Sequence, residues 1–257
     1  MKRMSEAFRH LPVAVQLLAA EIEAVTGPIE LVQSAGLSHA LGELSIKWID
    51  GSPHPVIVYG DRLTADTAMH ELLHARRAFL DLVPWCRLIG LHIFDENGKE
   101  LSSLRGLFGG EIDNHIEHLL VYPEQARLGF PKANLSRLLI GILEHLHLNT
   151  PDFMRRLMAF GAWVAVLRCT QELIPLATAT LKKEGLWYEA RRYGDAVQAY
   201  HDDKRALVKI TADAIQLPVK YLEMTYLRRS DGIWEAAVTP VKTKPSTWKR
   251  ILDSPTL

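Results

Sequence analysis

The sequence predicts an α+β protein in which the strands are confined to the first half and the second half is all helical. Three observations predict it. Between residues 29 and 60 the chain carries short alternating or β-branched runs separated by turn residues. Beyond residue 134 the apolar residues recur at helical spacing instead. The chain is 257 residues long with 48% hydrophobic and 23% charged residues, which is enough to bury a core of ordinary globular composition. The expected organisation is one domain over residues 1–130, a helical domain over 131–240 and a loosely held tail over 241–257.

Charge and cysteine content narrow the function classes. Lys plus Arg and Asp plus Glu are 30 each. No net field therefore recruits nucleic acid or a membrane surface. Only Cys86 and Cys169 are present, far apart in sequence, which points away from a disulfide scaffold and towards a reducing, cytoplasmic setting. The run "LPVAVQLLAA" near the N-terminus includes Gln16 and passes straight into "EIEAV", so it reads as an amphipathic helix and not a signal peptide. "LMAFGAWVAVL" (157–167) is too short to span a bilayer and reads as a buried helix.

In chain order, residues 5–25 predict a helix that "TGP" (26–28) stops. "IELVQ" (29–33) predicts a strand. "ELSIKWI" (43–49), with Leu44, Ile46 and Trp48 on one side, and "PVIVYG" (55–60) predict a hairpin joined by a loop longer than two residues. A helix follows, with Thr64 as N-cap and Asp66 in the first turn, running to about Leu82 before Pro84. "RLIGLHIFDENGKEL" predicts a further strand and a turn. Gly109-Gly110 is expected to break the chain before the helix "EIDNHIEHLLVY", which should end near Pro123. The remaining helices are "LSRLLIGILEHLHL", "PDFMRRLMAFGAWVAVLRCTQEL", "PLATATLKKEG" and "YEARRYGDAVQAYHDDKRALVKITADAI".

The stretch "TAMHELLHARRAF" (67–79) carries the chemistry. His70 and His74 are four apart, so on a helix they share one face, one turn apart. Two imidazoles so placed can reach one zinc ion, each at about 2.0–2.1 Å. Glu71 reaches a metal-bound water without being a ligand and serves as general base. The bland alternative, in a chain with 11 His, is a helix whose two histidines belong to its polar face.

A catalytic zinc takes three protein ligands and keeps one position open. "GGEIDNHIEHLLVYPE" is the expected donor. Glu111, His115 and His118 fall at i, i+4 and i+7 beside an apolar stripe of Ile112, Ile116, Leu119 and Leu120. Glu111 is the first choice of third ligand, His115 and His118 are alternatives, and Asp113 is a weaker one. Asn114 and His115 can instead orient a ligand, and Tyr122 can donate to a developing oxyanion or simply belong to the core.

The order helix, hairpin, HExxH helix and downstream glutamate helix resembles the gluzincin metallopeptidases. Within them it resembles most the ImmA/IrrE-type domain of bacteria and phages, through Asn114 and "LLVYP" (119–123). The resemblance implies a zincin-like first half, with His70, His74 and Glu111 as zinc ligands and Glu71 as base. It also implies cleavage of a protein partner, in that family often a transcriptional repressor. The expectation is a zinc metalloendopeptidase acting on a protein or peptide. The alternative is a non-catalytic sensor or interaction module on the same fold.

Other features read as structure. "LKKEGLWYEARRYGDAVQAYHDDKR" interleaves acids with its bases and aromatics, so a solvated helix face is preferred to a nucleic-acid surface. His145 and His147 read as core or surface residues, and Cys86 as a buried thiol.

Overall fold

The computed structural model describes residues 8–35, 42–88, 102–130, 135–148 and 152–241, with the helix alone described over 102–111. Among the described residues it is a mixed α+β fold of eight α-helices and two small sheets.

Helix α1 (Val13–Thr26) begins just after its N-cap Pro12, later than its apolar periodicity suggests, because a proline disfavours helical geometry in the residue before it. Gly27, at φ 83°, ends the helix. Strands β1 (Glu30–Gln33), β2 (Gly42–Ile49) and β3 (Ser52–Tyr59) form a sheet in the order β1-β3-β2. β1 runs parallel to β3, and β2 antiparallel to it. The hairpin loop is shorter than expected. Ile49 pairs with Ser52, leaving only Asp50 and Gly51, at φ 50° and 75°. Both central residues need positive φ in the tight turn whose twist matches the strands, and Asp-Gly supplies it. Pro53 and Pro55 do not disrupt the ladder, since β1 pairs with β3 only from Val56 onwards.

Helix α2 (Ala65–Phe79) is capped by Thr64, whose hydroxyl accepts from the Thr67 N–H at 3.3 Å. It packs against α1 and against β2 and β3. Strand β4 (Trp85–Leu88) follows, and the remainder of the predicted strand-and-turn segment, 89–101, lies outside the described residues.

Helix α3 (Ser102–Arg127) corrects two expectations. Gly109 and Gly110 lie inside it, and it runs on through Pro123. Pro123 has no N–H to offer the Leu119 carbonyl one turn earlier. The Arg168 guanidinium donates to that carbonyl instead, at 2.7 Å, so the helix continues without an orphaned buried acceptor.

The later helices are α4 (Leu135–Glu144), α5 (Asp152–Cys169), α6 (Ile174–Lys183), α7 (Trp187–Ala199) and α8 (Lys204–Ala214). The last predicted helix is thus two. Asp203 caps the second, its carboxylate accepting from the Ala206 N–H at 3.0 Å. α5 is the buried centre of this group, with Leu157, Phe160, Trp163, Val164 and Val166 inside and α4, α6 and α7 around it. Each such side chain contributes about 1.5–3 kcal/mol by leaving water. No described helix is long and apolar enough to cross a membrane.

The second half is not all helical. β5 (Leu222–Ser230) and β6 (Ile233–Pro240) form a sheet with β4 in the order β4-β5-β6. Their connection is Asp231-Gly232, at φ 52° and 82°, the same two-residue turn as in the first hairpin. The tail expected over 241–257 lies outside the described residues from 242 onwards.

The chain divides into two compact units. One comprises Met1–Pro84, Val121–Ala133 and Tyr226–Ala237; the other comprises Trp85–Leu120, Asn134–Thr225 and Val238–Leu257. The first holds α1, β1–β3, α2 and the last turns of α3, and in it Trp234 meets Phe79 edge-on at 5.9 Å between ring centroids. The second holds β4, most of α3 and α4–α8.

Candidate metal centre

The HELLH pair is where the helical spacing puts it. Thr64 fixes the start of α2, so the phase of every later residue on that helix is set. Ala68, Met69, Leu72, Leu73 and Ala75 are buried, which turns this face of α2 inward. His70 is 8% exposed and Glu71 only 3%, while His74 is part-exposed. The Nε2 atoms of His70 and His74 are 3.3 Å apart, with the rings edge to face at 81°.

That separation tests whether the pair suits a metal ion. Two nitrogens each about 2.0–2.1 Å from a tetrahedral zinc are about 3.3–3.4 Å from one another. The pair therefore stands at coordination spacing. Imidazole donors suit zinc and the later first-row metals. His118, an alternative third donor from the sequence, is part-exposed on α3.

The ring of His70 is held on its other side. Its Nδ1 lies 2.9 Å from the Oε1 of Gln125, and the Gln125 amide nitrogen donates to the Asp66 carbonyl at 2.9 Å. Tyr122 stacks on the same ring, with centroids 5.3 Å apart and planes inclined by 27°. Tyr122 is thus a buried packing partner of His70. On α3, His118, Tyr122 and Gln125 fall at i, i+4 and i+7, one stripe along the helix.

Glu71 lies against the first residue of β2. A side chain at Gly42 would bring its Cβ within 2.8 Å of the Glu71 Cγ and 2.9 Å of its Oε1, so only glycine lets strand and carboxylate approach this closely.

The other predicted donors divide as follows. Glu111 belongs to α3, but its side chain lies outside the described residues. His115 does not join the group. Its Nε2 bonds the Tyr193 hydroxyl at 3.0 Å, which bonds Thr211 Oγ1 at 3.0 Å, and burial pushes the imidazole down to about 4. Its ring fills the space where Gly161 lacks a Cβ. Asp113 accepts from the Cys86 backbone N–H at 2.7 Å and pairs with Lys204 at 2.8 Å. Lys204 also pairs with Glu117. Asn114 is exposed. Burial, assisted by Asp113, pushes the Cys86 thiol up to about 12, as suits a packing residue.

Gln125 and Gly42 escaped the reading of the sequence. Gln125 had a signal: it stands seven residues after His118, on the same stripe. Gly42 had none, because the approach it permits is between segments distant in sequence.

Comparison with known protein families, with curated proteins and with solved structures returns no match.

Proposed function

We propose that this protein is a zinc-dependent metalloendopeptidase with a zincin-like site, in which His70, His74 and His118 hold the ion and Glu71 is the general base. The observation that carries the reading is the 3.3 Å separation of the His70 and His74 nitrogens on one helix face, with a glutamate directly after the first histidine and His118 on the α3 stripe whose Tyr122 and Gln125 meet His70. The third donor in this reading is an imidazole, whereas a gluzincin would use a glutamate such as Glu111.

A bound zinc ion supplies a Lewis acid and brings a water close to ionisation at neutral pH. The chain's own residues supply the rest. Glu71 takes up the proton of the attacking water on a carboxylate oxygen and returns it to the leaving amine. Its place against β2 sets it beside an edge strand, since among the described residues β2 pairs with β3 on one side only. An extended peptide that adds to this edge lies along the carboxylate.

Two measurements test the reading. Purified protein should carry about one zinc per chain at neutral pH, and His70→Ala, His74→Ala and His118→Ala should each lose it. Glu71→Gln should keep the metal and lose cleavage of a complex peptide mixture followed by mass spectrometry. A wild-type protein without metal overturns the proposal. Retained metal with no cleavage by the wild-type protein points to the non-catalytic module instead, and cleavage that survives Glu71→Gln removes the base assignment.

A further inference from the structure

We infer that Gln125 is a positioning residue that fixes the tautomer of His70 and thereby presents its Nε2 lone pair to a cation; for metal affinity this rests on the centre proposed above. The argument starts at a group that cannot change its role. The Asp66 backbone carbonyl only accepts hydrogen bonds, and the Gln125 side-chain nitrogen lies 2.9 Å from it. The amide is therefore oriented with NH2 towards Asp66 and Oε1 towards His70. Turned over, it would set two oxygens against each other and two donors at the ring.

Oε1 in turn only accepts, and it lies 2.9 Å from His70 Nδ1. His70 Nδ1 must then carry the hydrogen. In a neutral imidazole the hydrogen on one nitrogen leaves the lone pair on the other, so Nε2 is the acceptor, and Nε2 faces His74 at 3.3 Å. Gln125 is 1% exposed and His70 8%, so water does not compete effectively for either bond. The relay runs from backbone carbonyl through amide to imidazole. Because Asp66 is in the first turn of α2 and His70 one turn later, Gln125 bridges the start of that helix to its own ligand. Tyr122, one turn before on α3, closes the ring from its face.

In the metal-free protein, long-range 1H–15N spectra should find His70 protonated at Nδ1 and bare at Nε2. Gln125→Leu should lose that preference, and its zinc affinity, measured against a competing chelator, should fall about 10–100-fold. Gln125→Glu retains an acceptor for Nδ1–H and should bind zinc within about threefold of wild type if the acceptor is what matters. His70 carrying its hydrogen on Nε2 in the wild-type protein overturns the inference. So does zinc affinity unchanged in Gln125→Leu, or equally weakened in both variants. Should the wild-type protein bind no zinc, the metal centre fails but the spectra still decide the tautomer.

Discussion

His115 Nε2 lies 3.0 Å from the Tyr193 hydroxyl, and this bond separates His115 from His118, three residues along the same helix. The two imidazoles sit on neighbouring faces of α3. His115 is spent on a hydrogen-bond chain to Tyr193 and Thr211; His118 is the imidazole assigned to the proposed centre.

This burial makes His115 a source of acid sensitivity. Folded His115 stays neutral down to about 4, whereas in the unfolded chain an imidazole protonates near ~6.5. Between those values the unfolded chain binds more protons, so stability is full above the unfolded value and falls as pH drops towards the folded one. The difference corresponds to roughly 3 kcal/mol across that window. Urea denaturation of wild type and His115→Gln from neutral pH to pH 4 should show a shallower decline in the variant. Parallel declines would mean that His115 titrates normally.

Gly42→Ala places a methyl within 2.8 Å of both the Glu71 Cγ and the Thr67 Cγ2. Overpacking of this kind costs about 1–3 kcal/mol. The carboxylate is the part that gives way, so the variant should fold with a lowered melting temperature, retain its zinc and lose most peptide cleavage. Activity equal to wild type in a fully folded Gly42→Ala protein would mean that the carboxylate tolerates a different place.

Lys204 is buried between Asp113 and Glu117, one turn apart on α3. The two carboxylates raise its proton affinity against the opposing effect of burial. Lys204→Met leaves two buried acids facing each other and should cost about 3–5 kcal/mol in chemical denaturation. Adding Asp113→Asn and Glu117→Gln should recover much of that loss, because the charge that lacked a partner is gone. A single variant as stable as wild type would show that the acids are protonated or hydrated in the fold.

Local patterns in the sequence were a good guide where the forces are local. Thr64 as cap, the α2 span around His70 and His74, and the strands around Ile57 follow from hydrogen-bonding capacity and side-chain period, which act over a few residues. The second Asp-Gly turn, Asp231-Gly232, rests on an equally local signal, positive φ at both central residues. Pro123 misled for the opposite reason. Its missing N–H is offset by Arg168, 45 residues later, and no pattern near the proline records that.

The candidate centre divides the same way. Two imidazoles one turn apart and the glutamate beside them were determined by the sequence, since helix geometry fixes how residues four apart stand to each other. What other α3 candidates do was decided only by the tertiary structure. Asp113 and His115 project from one helix, and their partners lie far off in the chain: Lys204 and Tyr193. Spacing along a helix sets the direction in which a side chain leaves it, but packing alone sets what that side chain meets.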